Sequence, residues 1–137
     1  MIKLMLIGLC LFTTRFSMAQ WEEDIRLTFD PLNSETAYST GVHSIASSGD
    51  TVHVVWQDDR DGNYEVYYKR STDGGLTWGE DMRLTNDPAV SYDPSIAVSG
   101  SNVHIVWSDE RDFDWEIYYK RSTDGGNNWD DDTRIIN

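Results

Sequence analysis

Residues 52–78 read VHVVWQDDRDGNYEVYYKRSTDGGLTW and residues 103–129 read VHIVWSDERDFDWEIYYKRSTDGGNNW; the two align without a gap at an offset of 51, with 18 of 27 positions identical. The chain is therefore a tandem repeat. A shorter element recurs as well: Asp24-Ile25-Arg26-Leu27-Thr28, Asp81-Met82-Arg83-Leu84-Thr85 and Asp132-Thr133-Arg134-Ile135-Ile136, spaced 57 and then 51. The six extra residues of the first spacing fall within 31–43, a Ser/Thr-rich stretch that reads as a longer loop.

Each repeat divides into four short strands. Residues 44–47 and 95–99 form a first strand, closed by Ser48-Gly49-Asp50 and Gly100-Ser101-Asn102. Residues 51–57 and 102–108 form a second, in which Val52, Val54 and Trp56 take one face and His53 and Val55 the other. Apolar bulk on both faces marks a strand covered on both sides. Residues 64–70 and 115–121 supply a third strand of aromatic and β-branched residues. The Asp-X-Arg-Leu-Thr segment supplies a fourth, and no stretch keeps a helical period. The expected fold class is all-β: four-stranded antiparallel units of about 50 residues, apolar on both faces, stacked as β-propeller blades. Two separate sandwich sheets fit less well, because the fourth-strand sequence already occurs before the first full repeat.

The turn between the third and fourth strands carries a family resemblance. Ser71-Thr72-Asp73-Gly74-Gly75-Leu76-Thr77-Trp78 matches the Asp-box of bacterial neuraminidase repeats, and 122–129 matches it again with Asn128 in place of the usual Thr. The chain resembles the sialidase-like, Asp-box β-propeller superfamily over nearly all of its length after residue 19. In that family the box lies on the blade end away from the active site, so the resemblance implies fold and not catalysis. The box residues Ser71, Asp73, Gly75, Trp78, Ser122, Asp124, Gly126 and Trp129 are expected to be structural: Asp accepts backbone N–H groups, Gly permits positive φ, and Trp covers the turn.

The 137 residues carry 24 acidic against 11 basic side chains, a net charge of −13. Such a surface repels phosphate backbones and anionic membranes, which excludes nucleic-acid binding. Aromatic content of 12% argues against a disordered acidic tail. Lys3, the apolar run 4–12 and Ser17-Met18-Ala19 read as a signal peptide over 1–19 with cleavage after Ala19, too short to span a bilayer. Leu9 before Cys10 disfavours a lipoprotein reading. The mature part, 20–137, then has no cysteine and nine basic against 24 acidic residues, a net of −15. The protein is expected to be exported, to the medium, the periplasm or the cell surface, without a disulfide framework.

A sialidase-like hydrolase would need, by resemblance, an arginine cluster, a Tyr nucleophile paired with a Glu, and an Asp acid/base drawn from several blades of a six-bladed ring. Here Tyr67, Tyr68, Tyr118 and Tyr119 lie near Glu65 and Glu116, but they recur in both repeats, which suits a role in the blade better than a role in one asymmetric site. Arg26, Arg83 and Arg134 read as ordinary surface ion-pair residues, and His53 and His104 as packing residues. No catalytic, cofactor-binding or metal-ligating residue is assigned. The candidate ligand rim is the acidic turn between the second and third strands, Asp58, Arg60, Asp61, Asp109, Arg111 and Asp112, with Asp30, Glu35, Asp87 and Asp93 in the connections. Calcium takes clustered oxygen ligands, but 58–63 does not fit an EF-hand loop and Phe113 replaces Gly62. A solvated turn with Arg60 bridging carboxylates is the preferred reading, and no cofactor is expected.

Two blade repeats, about 42–85 and 95–136, bury one interface and leave two apolar faces. The expected function is a non-catalytic binding or scaffold module, carbohydrate- or protein-directed, completed by self-association, with three copies giving six blades. The alternatives are an exo-sialidase or other glycoside hydrolase assembled across subunits, and a fragment of a longer sialidase-like protein.

Overall fold

The computed structural model describes residues 23–37 and 41–135. The signal peptide read over 1–19, part of the long loop and Ile136 of the last fourth-strand copy lie outside them. The described chain is all-β and forms two antiparallel sheets, with no helix long and apolar enough to cross a membrane. In the first sheet β1 (Ser34–Glu35) and β2 (Ile45–Ser48) both flank β3 (Thr51–Asp58), followed by β4 (Glu65–Ser71) and β5 (Met82–Arg83). The second runs β6 (Ser91–Ser99), β7 (Asn102–Asp109), β8 (Glu116–Ser122) and β9 (Thr133–Arg134).

Pairing registers make the two sheets equivalent. Trp56 opposes Tyr67 as Trp107 opposes Tyr118, and Tyr67 opposes Arg83 as Tyr118 opposes Arg134. The first strand differs from the expectation of residues 44–47 and 95–99. In the second repeat it starts four residues earlier, because a bulge between Tyr92 and Ser95, with Asp93 at φ 50°, absorbs Pro94 and lets pairing resume. Ser34 and Ser91 pair with Asp58 and Asp109, so β1 is the first half of that same strand. The six extra residues separate β1 from β2, where the second repeat has only a bulge. The fourth strand is shorter than its recurring sequence, pairing over two residues in each sheet.

The sheets pack through unlike faces. The His53, Val55, Val66, Tyr68 face of the first sheet meets the Val103, Ile105, Trp107, Tyr118 face of the second. The latter corresponds, at the offset of 51, to Val52, Val54, Trp56 and Tyr67, which lie on the other side of the first sheet. Val55, Val66, Val103 and Ile105 are fully buried, each worth about 1.5–3 kcal/mol of apolar burial. The front of one unit thus rests on the back of the next.

Candidate functional site

The rim turns are built around two buried aspartates. Asp58 and Asp109 end β3 and β7 with no exposed surface, a position a carboxylate holds only when its oxygens are fully paired. Arg60 supplies most of that pairing, with Nε donating to Asp58 Oδ1 at 2.8 Å and Nη2 to Oδ2 at 2.6 Å. Ser34 Oγ and Trp56 Nε1 donate to the same carboxylate at 2.7 and 2.9 Å. In the second repeat Arg111, Ser91 and Trp107 do the same for Asp109, at 2.8 and 2.7 Å, 3.0 Å and 2.8 Å. Burial would raise the Asp58 carboxyl, but the hydrogen bonds from Arg60, Ser34 and Trp56 outweigh it and bring it down to about 2. Asp109 is lowered for the same reasons.

Each arginine continues the network into the fourth strand. Arg60 Nη1 donates to Asp81 at 2.8 Å and Lys69 Nζ pairs with that aspartate at 2.6 Å; Arg111 and Lys120 meet Asp132 at 2.9 and 2.8 Å. The guanidinium of Arg60 lies over the Tyr67 ring at 4.4 Å, and that of Arg111 over Tyr118 at 4.2 Å. Tyr67 donates its hydroxyl to Asp61, and Tyr118 to Asp112 at 2.6 Å. Burial and then the Asp61 bond raise the Tyr67 hydroxyl above its usual range, while the Asp112 bond and burial push Tyr118 up to about 12. Arg83 departs from the expected surface pair. It reaches Glu65, which is fully buried, at 2.6 Å, and Asp61 at 3.1 Å.

These geometries assign the rim residues. Asp58, Arg60, Asp109 and Arg111 are consumed in closed, repeat-related networks, and Asp61 and Asp112 sit at the outer edge of them. Tyr67 and Tyr118 are buried, and their hydroxyls are engaged by Asp61 and Asp112. Glu65 and Tyr67 share a face while Tyr68 takes the other, bonding His53 Nδ1 at 2.7 Å. His104 meets Tyr119 at 2.8 Å in the same way. Among the described residues no group of three or more His, Cys, Asp or Glu side chains is placed to hold a metal ion.

At the opposite turns Ser71 Oγ donates to Asp73 Oδ1 at 2.7 Å and accepts the Gly75 N–H at 2.8 Å, while Asp73 accepts the Thr77 N–H at 2.9 Å and the Thr77 hydroxyl at 2.5 Å. Hydrogen bonds from Ser71 and Thr77 hold the Asp73 carboxyl at about 2. Asn128 replaces that threonine by function: its N–H and its amide Nδ2 donate to Asp124 at 2.9 and 2.6 Å, and those bonds keep Asp124 well below the usual carboxylate range. Asn128→Thr is therefore expected to leave the thermal midpoint unchanged and Asp124→Ala to lower it, as read by circular dichroism.

A further feature was not legible in the sequence. Tyr64, Tyr92 and Trp115 form a ladder of rings with centroids 4.9 and 5.8 Å apart, beside a cavity of about 410 Å³ lined by Tyr92, Asp93, Ser108 and Trp115. Tyr92 was concealed because the bulge that places it in β6 follows it in sequence. No protein-family model matches the chain, and no curated protein matches it.

Proposed function

We propose that the two sheets are consecutive blades of a sialidase-like β-propeller, and that the protein is an exported, non-catalytic binding or scaffold module completed by self-association. The observation that carries this reading is the unlike-face packing, front of one sheet on back of the next. Two sheets related by a two-fold would bury the same face of each, whereas translation of one unit along an array buries opposite faces and leaves an open front and an open back. Residues 24–28 then belong to a fourth strand of a blade outside the two described sheets. The signal peptide over 1–19 accounts for export, and the buried state of Tyr67, Tyr68 and Tyr118 supports a role without turnover. An acidic rim favours a neutral carbohydrate or a basic protein surface as ligand over an anionic sugar.

Light scattering on the purified protein at about 0.15 M salt is expected to give a mass of three copies, hence six blades. A fluorogenic sialoside panel is expected to show no release by that oligomer. A strict monomer contradicts self-association, and turnover contradicts the non-catalytic reading.

A further inference from the structure

Three copies of the Asp-X-Arg-(Leu/Ile) segment serve two sheets. The second and third pair with β4 and β8. The first, 24–28, pairs with no strand among the described residues, yet it already has the shape and the seat of a fourth strand. Arg26 Nε donates to Thr28 O at 2.5 Å, as Arg83 Nε donates to Thr85 O at 2.8 Å. Lys69 Nζ reaches across to Leu27 O at 2.8 Å, as Lys120 Nζ reaches from the second sheet to Leu84 O of the first at 2.6 Å. Segment 24–28 therefore rests on the back of the first sheet in the way that β5 and the residues after it rest on the back of the second. Its Arg26 is exposed and meets no carboxylate among the described residues.

The second sheet has the matching deficiency. In the first sheet Glu65 is fully buried and takes two donors, Arg83 and the Thr85 hydroxyl; that hydroxyl also accepts the Val66 N–H at 2.8 Å. The equivalent Glu116 receives Arg134, but the sequence places Ile136 where Thr85 stands, and an isoleucine has no hydroxyl. The neighbouring Ile135 is half exposed where Leu84 is buried. Segment 24–28 carries the threonine that this strand lacks.

We propose that 24–28 of one copy adds as the fourth strand to β8 of a second copy of this chain. Arg26 and Thr28 take Glu116 as Arg83 and Thr85 take Glu65, and the host's own 133–134 yields the position. This rests on the blade reading and deepens it by naming the partner and the register. The internal sheet interface is the template for the rest of the contact. Arg70 Nη1 donates to Gly125 O at 2.5 Å, and the Tyr68 hydroxyl presses on Gly126. On the open front His104, Val106, Tyr119 and Arg121 repeat His53, Val55, Tyr68 and Arg70. On the open back the same seats stand unfilled: a Cβ at Gly74 would meet nothing within 4 Å and at Gly75 only the Trp78 ring at 3.9 Å. Gln57 accepts the Asp93 N–H at 2.9 Å across the internal interface; the equivalent Ser108 lines the 410 Å³ cavity, which gives the incoming Glu35 and Thr36 their place.

The test is a charge swap read by light scattering over a concentration series. Arg26→Glu lies on an exposed segment outside both sheets, so its thermal midpoint is expected to match the parent while self-association weakens on the order of a hundredfold. Thr28→Val is expected to weaken it about tenfold. Glu116→Arg alone should also fail to associate, and a chain carrying Arg26→Glu together with Glu116→Arg should recover the parental mass, since every junction of a three-copy ring then joins opposite charges. If Glu116→Arg does not fold, the Arg26→Glu and Thr28→Val results decide. An oligomer indifferent to both substitutions overturns this strand addition alone and leaves ring completion by another contact. A protein monomeric at every concentration overturns both.

Discussion

Asp58→Ala is expected to lower the unfolding free energy by about 3–5 kcal/mol, because it leaves the Arg60 guanidinium and the Trp56 N–H partly buried without their acceptor. Arg60 retains Asp81, which is why the loss is held to that range. Urea denaturation at neutral pH reads the difference, and a loss below about 1 kcal/mol would mean that the network is solvated in the way of a surface pair. The same carboxylate sets a pH dependence. Its folded value of about 2 lies below the ordinary 3.8, so its stabilisation is fully present above about pH 4 and is lost as pH falls through about 2. Asp109 is displaced in the same direction and adds to the slope. The thermal midpoint should therefore fall steeply between about pH 4 and 2, and the Asp58→Ala protein should lose part of that slope.

Much of this network was legible in outline. Repetition at 51 located equivalent positions, alternation on the second strand assigned its faces, and the turn Asp58-Asp59-Arg60 suggested an arginine among carboxylates. What the sequence concealed was burial. Nothing in the local pattern distinguishes Asp58, with no exposed surface, from Asp59 beside it; the difference is that Asp58 ends β3, where the pleat carries it inward beneath the Arg60 and Trp56 side chains. Arg83 was read as a surface pair for the same reason, since its partner Glu65 is eighteen positions away and is buried only when β5 folds against β4. Asp93-Pro94 hid half of a strand, because a proline after a positive-φ aspartate reads as loop unless a bulge is invoked. Asn128 looked like a departure from the box, and its amide restores the lost hydroxyl bond.

Gly75 and Gly126 are the same residue of the same turn, with φ of 96° and 85°, and they should differ sharply when replaced by alanine. Both substitutions incur the backbone strain of a positive φ, on the order of 1–2 kcal/mol. At Gly126 the new methyl would also overlap the Tyr68 hydroxyl, which is pinned by His53 at 2.7 Å and by the edge of Trp129 at a centroid distance of 5.0 Å. Tyr68 is almost fully buried between the sheets, so it has no other rotamer to retreat to without opening the interface. The added overpacking brings Gly126→Ala to about 3–5 kcal/mol, a fall in thermal midpoint of at least about 10 °C, against about 5 °C for Gly75→Ala. Tyr68→Phe, which removes the nearest overlapping atom, should recover part of the Gly126→Ala loss in a double-mutant cycle and none of the Gly75→Ala loss. Equal effects at the two glycines would mean that the sheets do not meet through Tyr68. These values hold for dilute protein. In the association proposed above, Tyr119 of a second copy would enter the space above Gly75, where an added Cβ now meets only the Trp78 ring at 3.9 Å, and Gly75→Ala is then expected to weaken assembly by the same overlap that makes Gly126→Ala unstable.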